Sequence, residues 1–246
     1  MFHSNIEIKE GAFFLSDAHY SESRPELLDF IKDIHSKKLQ PTQLIFFGDI
    51  FDALFGGVTY TIEKNQELIG LINDISKEIE FIYLEGNHDF NLKKIFPLAQ
   101  VFTISQQPVL CTMNNKKVFL AHGDFGAGLG YKAYTGFIRN RVILFFLNII
   151  NNIFGNFILN SLDNYLNKKD DCKELSNFRD YISKRLESKY ECDYFIEGHF
   201  HQNKSLVFDD FRYINLGVFA CNQRFFIVEF SKDKPLIQES IYSKEI

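Results

Sequence analysis

A chain of 246 residues, 46% apolar and 24% charged, carries enough apolar material for a substantial core, which excludes a disordered protein. A formal charge of −5 excludes a general nucleic-acid binder, because phosphate contacts need a basic surface. The four cysteines (Cys111, Cys172, Cys192 and Cys221) form no C-x-x-C pair, which argues against a zinc knuckle or a disulfide framework and predicts reduced, mostly structural thiols.

Residues 1–11 lack the basic start and apolar core of a signal peptide, so the expected compartment is the cytoplasm. Apolar runs then alternate with helical patterns, the sequence form of stacked βαβ units and hence of a single α/β domain over 1–246. Residues 12–15 read as a first strand. Ser23 and Glu26 around Pro25 predict a capping box, and Leu27, Leu28, Ile31 and Ile34 predict the apolar face of the helix it opens. A strand at 44–47, a helix bearing Leu68, Leu71, Ile72 and Ile75, and strands at 81–84, 118–121 and 194–196 follow. Runs at 206–208 and 211–214 flank Asp209-Asp210 as a hairpin, and 225–230 reads as another strand.

The stretch 125–192 differs in character and reads as a helical insertion. Residues 142–162 include no charge, while Arg139, Arg141, Lys168 and Lys169 lie on either side. Asn148, Asn151, Asn152, Asn156 and Asn160 recur at helical spacing, and five amides in hydrocarbon would be costly without partners. An amphipathic helical pair is therefore expected, either buried on the sheet or facing lipid as a lid whose basic flanks favour anionic headgroups.

Five short motifs stand out, four of which hold five of the seven histidines: Asp17-Ala18-His19, Gly48-Asp49-Ile50-Phe51-Asp52, Gly86-Asn87-His88-Asp89, His122-Gly123-Asp124 and Gly198-His199-Phe200-His201. Each begins where a predicted strand ends, the edge of an α/β sheet where ligands collect. Carboxylate and amide oxygens mixed with imidazole suit Mn, Fe or Zn, whereas all-oxygen sets suit Mg or Ca. On an extended segment, ligands two apart leave the same face, so D-x-H and H-x-H are each expected to reach one ion. A lone D-x-H is more often a turn than a ligand pair; five motifs in order reverse that weighting. His3 and His35 lie outside the motifs and read as surface residues, and Asp89 and Asp124 as turn-closing residues.

In this order the motifs resemble the calcineurin-like metallophosphoesterases, from about Phe13 to Gly217. The resemblance implies an αββα sandwich with a helical lid at about 125–192 and two divalent metals. One would be held by Asp17, His19, Asp49 and His201, the other by Asp49, Asn87, His122 and His199. His88 would lie beside the metals as a catalytic residue, with the Asp52 carboxylate orienting it. Two divalent ions against the charges of Asp17 and Asp49 leave a net positive site that attracts phosphate.

The lid position, the Leu-Ser-Asp-Ala-His opening and the Gly130-Tyr131-Lys132-Ala133-Tyr134 run are also similar to the bacterial UDP-2,3-diacylglucosamine pyrophosphohydrolases. That resemblance implies manganese-dependent release of UMP from a lipid-linked nucleotide diphosphate at the inner membrane face. Asn87, Tyr131, Lys132 and Arg139 are the candidate substrate contacts. His88 stands where that subfamily commonly has arginine, and Ala127 and Gly128 where it has acidic residues, which keeps another lipid-linked or nucleotide phosphodiester open as substrate. A metal-free scaffold is a distant alternative, since every ligand position is filled.

Overall fold

The computed structural model describes residues 3–126, 128–166, 172–186, 189–231 and 234–243. Its strands are His3–Ile8 (β1), Phe13–Leu15 (β2), Gln43–Phe46 (β3), Leu54–Phe55 (β4), Glu80–Leu84 (β5), Asp89–Phe90 (β6), Gln100–Phe102 (β7), Val109–Met113 (β8), Lys116–Ala121 (β9), Tyr194–Glu197 (β10), Lys204–Val207 (β11), Arg212–Asn215 (β12), Arg224–Ser231 (β13) and Lys234–Ile241 (β14). Its helices are Glu26–His35 (α1), Thr59–Lys64 (α2), Gln66–Ile75 (α3), Leu129–Ile138 (α4), Arg141–Ile153 (α5), Phe157–Leu166 (α6), Phe178–Leu186 (α7) and Phe219–Asn222 (α8).

Two six-stranded sheets form, in the orders β14-β13-β2-β3-β5-β7 and β1-β8-β9-β10-β12-β11. Their residues alternate between layers because successive strand side chains point to opposite faces. In β3, Leu44 and Phe46 join the outer core with α1 and α3, whereas Ile45 packs in the middle core with Val118, Leu120 and Ile196 of the second sheet. In β9 and β10, Phe119 and Phe195 turn outward to meet Phe178, Ile182 and Leu186 of α7. The result is the expected αββα sandwich. β2, β3 and β5 are parallel, as are β9 and β10, so five strand ends deliver the five motifs to one edge.

The stretch expected to form one insertion divides in two. α7 supplies the outer layer of the second sheet, while α4, α5 and α6 stand over the site and share a small core of Leu144 and Leu159 with Val58 and Phe90. Part of the Asn stripe faces the sandwich, while Asn152 is exposed. Asn148 Oδ1 accepts from the Thr59 amide at 3.0 Å, Asn151 is fully buried and donates to Asn156 at 2.7 Å, and Tyr60 donates to Asn160 at 2.5 Å. Lys64 pairs with Asp163 at 2.6 Å. Polar groups thus anchor the lid, and its outer face keeps Phe145, Phe146, Ile153, Phe154 and Phe157 exposed. Among the described residues no single helix is long and apolar enough to cross a membrane, although α4 and α5, bent by 56°, pass together by length and composition.

Several expectations need correction. The predicted capping box is not made: Pro25 takes the N-cap position of α1 with no side-chain cap, and Ser23 Oγ lies 3.1 Å from Ser21 Oγ in the preceding turn. Cys172 and Cys221 form a disulfide although 49 residues separate them, because the fold brings the segment after the lid against α8; chain spacing is blind to such a contact. Cys111 and Cys192 stay outside that disulfide and are buried, and burial pushes the Cys192 thiol up to about 12. The Asp209-Asp210 hairpin forms with a longer connection, between Val207 and Arg212. Arg139 is no solvated flank: its side chain is only 10% exposed. Lys168, Lys169 and Ala127 lie outside the described residues.

Candidate metal centre

Backbone conformation at the motifs departs from the extended form expected of D-x-H and H-x-H. Asp17, His19, Asp49, His199 and His201 all have φ between 45° and 62°. Such left-handed conformations cost roughly 1–3 kcal/mol each for non-glycine residues and persist only where neighbours hold them. Here the loops hold one another: the Asp17 and His19 amides donate to the carbonyls of Gly48 and Asp49 at 3.1 and 3.0 Å. The paired ligands therefore do not leave one face of an extended segment, but their side chains still converge.

Two clusters result. Ligand atoms of Asp17, His19 and His201 lie within 4.8 Å of one another, and so do those of Asp49, His122 and His199. His122 Nδ1 sits 2.6 Å from the Phe47 carbonyl, which orients the ring so that Nε2 faces Asp49 at 3.5 Å and Asn87 Oδ1 at 3.4 Å. A Cβ at Gly48 would stand 2.6 Å from that same Nδ1, and φ of +80° there also requires glycine. At Gly86 a Cβ would collide with the Asp49 carboxylate.

The electrostatics suit cations. Burial alone would raise Asp17 and Asp49, but the facing histidines override it and hold both carboxyls below their ordinary range. Burial and the neighbouring His122 push His199 down to about 3, so its imidazole is neutral, as a metal ligand must be. Both His19 ring nitrogens are buried with no hydrogen-bond partner; Asp52 Oδ1 stands 3.3 Å from Nδ1 without the alignment of a hydrogen bond. An unpaired buried imidazole costs on the order of 1–3 kcal/mol, which a cation bound there would offset. The donor set therefore fits divalent metals.

His88 is held differently from the expectation. Its Nδ1 pairs at 2.9 Å with the backbone carbonyl of Asp52 rather than the carboxylate, which faces His19 and, at 4.0 Å, Arg24. His88 also forms, with Asp52 and His19, a third close cluster among the described residues. Asp89 binds no cluster. Its carboxylate accepts from the amides of Asp49, Ile50 and Gly86 and from Tyr83 Oη at 2.6–3.0 Å, tying the second and third motifs together.

Several organising residues escaped the sequence reading. Gln107 Oε1 accepts from the His122 amide at 2.6 Å. Asn215 donates to Gly198 O at 2.6 Å and accepts from the Gln202 amide at 2.7 Å, clamping the last motif. Arg185 of α7 reaches Glu197 at 2.6 Å and Gly123 O at 2.7 Å, joining the loops of His122 and His199. Only Asn215, a polar residue two before Gly217 at a strand end, repeats the form of the recognised motifs.

Of the candidate substrate contacts, Tyr131 donates to Asp124 at 3.1 Å, Arg139 reaches Gly86 O at 2.7 Å, Asn87 lies by His122, and Lys132 is exposed. An apolar cavity of about 510 Å³ opens beside Asn87 and His88 and runs under the lid between Ile143, Leu147, Ile158 and Leu162.

The family model of calcineurin-like phosphoesterases matches residues 13–203, which contain all five motifs. The chain belongs to the calcineurin-like phosphoesterases. As a member it is a hydrolase whose family chemistry uses divalent metal ions. It is 28% identical over 245 residues to UDP-2,3-diacylglucosamine hydrolase of Wigglesworthia glossinidia brevipalpis, covering 94% of each chain. The match to the enzyme of that name from Haemophilus influenzae is 29% identical over 119 residues and spans 46% of this chain and 48% of the relative. Among solved structures, a dimetal phosphatase from Danio rerio aligns over 94% of this phosphoesterase and 96% of its own chain, with 12% identity and a TM-score of 0.47.

Proposed function

We propose that the protein hydrolyses the diphosphate of UDP-2,3-diacylglucosamine to UMP and 2,3-diacylglucosamine 1-phosphate, with two metals held by Asp17, His19, Asp49, Asn87, His122, His199 and His201. The observation that carries the reading is the apolar cavity lined by Asp52, Asn87 and His88, two of which group with His19 of the first metal cluster, since it offers acyl chains a place beside the phosphate site. The relatives named for this lipid, one matched along 94% of its length, support the same substrate.

When bound, the metals supply charge that neutralises phosphoryl oxygens and makes water a stronger nucleophile. Asp49, grouped with His122 and His199, would be the carboxylate shared between the two metals. His88, fixed through Nδ1 by the Asp52 carbonyl, presents Nε2 toward the centre to steady the phosphoryl group or protonate the leaving oxygen. Manganese is the proposed ion, with iron and zinc able to use the same donors. The exposed Phe-rich face of the lid, at Phe145, Phe146, Phe154 and Phe157, is proposed to rest on the cytoplasmic face of the inner membrane.

His88 in place of the subfamily's arginine favours a second reading, in which a different lipid-linked or nucleotide phosphodiester is cleaved. Incubation with Mn²⁺ and UDP-2,3-diacylglucosamine separates the two. UMP release at enzymatic rates is the expected result; hydrolysis of a simple aryl phosphodiester without UMP release from the lipid would replace the first reading by the second.

A further inference from the structure

A second cavity, about 580 Å³, lies on the other side of Tyr131, between α4 and the 103–107 loop. The two share Tyr131 and differ in character. The first is walled by aliphatic lid residues, whereas this one is rimmed by Thr103, Ser105, Gln107 and Lys132. Its floor is Arg139 with Asp124 and Glu85. Arg139 Nη2 donates to Gly86 O in the metal-site loop and stands 3.5 Å from Asp124, while its Nε and Nη1 are buried without hydrogen-bond partners, as is Asp124 Oδ1.

The charge balance selects the ligand. Two cations, Arg139 and Lys132, face two carboxyls, Asp124 and Glu85, so the cavity holds no surplus positive charge for a free phosphate. It offers donors, acceptors and the rings of Tyr131 and Phe125, which suit an uncharged, flat, hydrogen-bonding group. The volume falls in the ordinary range for small-molecule sites.

We infer that this cavity takes the nucleoside of a nucleotide-headed substrate, with Tyr131 dividing it from the lipid-accepting cavity and the metal clusters meeting the diphosphate between them. The inference rests on the proposed function for its two-ended substrate, but it concerns a different part of the surface. A substrate with an oily end and a nucleoside end needs one compartment walled by aliphatic side chains and one that also offers hydrogen-bonding groups, and cavities lined in those two ways meet at Tyr131.

Isothermal titration of the manganese-loaded protein with UMP and, separately, with inorganic phosphate tests this. UMP is expected to bind at least tenfold more tightly than phosphate. Ser105 is exposed and its replacement leaves the Thr103 cap intact, so Ser105→Trp fills the cavity from its rim. In that variant UMP affinity is expected to fall tenfold or more while phosphate affinity moves less than twofold. Lys132→Ala, on the opposite wall, is expected to weaken UMP about threefold with phosphate unmoved, and it carries the test alone should the tryptophan variant misfold. UMP binding no tighter than phosphate, or equal shifts for both, would overturn the inference. A protein that releases UMP from UDP-2,3-diacylglucosamine yet fails this titration keeps the proposed activity and loses the subsite. One that passes the titration and leaves that lipid intact loses the lipid and keeps the subsite.

Discussion

The loops at the sheet edge and the lid above them bury opposite kinds of atoms. At the edge, ionisable groups lie inside: Asp17, Asp89 and His122 are fully buried, each with partners from other loops. In the lid, uncharged groups lie inside and aromatic rings outside, with Asn151, Leu144 and Leu159 buried while Phe154 is 66% and Phe157 70% exposed. The loops are thus fixed by many short bonds around charges that cannot be rearranged cheaply. The lid is held by a few polar anchors and a small apolar core, so it can tune what enters without disturbing what reacts.

Asp49→Ala tests the first half most severely. Removal of the carboxylate proposed to be shared between the two metals is expected to lower manganese-dependent hydrolysis by about three orders of magnitude or more with the circular dichroism spectrum retained. Turnover within tenfold of the parent would break the two-metal assignment. Leu162→Trp probes the lid's inner wall. The ratio of kcat/KM for the diacylated lipid to that for a small aryl phosphodiester is expected to drop about tenfold, and an unchanged ratio would show that the acyl chains lie elsewhere.

The outer wall is tested by Phe146→Ser with Phe154→Ser. Since full burial of one such ring contributes roughly 1.5–3 kcal/mol, partial insertion of two predicts about a tenfold weaker association with anionic vesicles in flotation. Equal flotation would leave the apolar face to some contact other than lipid. The smallest effect is expected from Asp163→Asn, which breaks the partly exposed pair with Lys64. About 0.5–1 kcal/mol, discounted for solvent screening, corresponds to a fall in Tm of about 1–3 °C.

The candidate site was legible in the sequence because its motifs are short, strand-anchored and of unusual composition. Every motif lies after the strand expected to carry it. The backbone that presents them was not legible: left-handed φ at Asp17 or His199 arises from hydrogen bonds to loops far along the chain. Long-range partners were hidden for the same reason. Nothing near Arg185 marks it as the link between Gly123 and Glu197, and nothing in the spacing of Cys172 and Cys221 foretells their bond. Strands β1, β8 and β14 were missed because neither a motif nor an uninterrupted apolar run marks them. The lid's helices followed from periodicity, but which face turns inward was decided by partners on α2, whose contribution local sequence does not announce.

The lid enters the fold after the His122 loop and leaves it before α7, and both feet stand on ligand-bearing loops. Tyr131 meets Asp124 at one foot; at the other, the Leu175 amide donates to Gln202, the neighbour of His201. Between those feet the lid meets the sandwich through Asn148, Asn160 and Asp163 against α2, Arg139 against Gly86, and Leu144 and Leu159 against Val58 and Phe90. The helices therefore form a cassette that heredity can exchange, with new lengths or new linings, while the footings stay as they are. A change in the lining of α4 to α6 then alters the cavity without moving the loops that hold the candidate metal ligands.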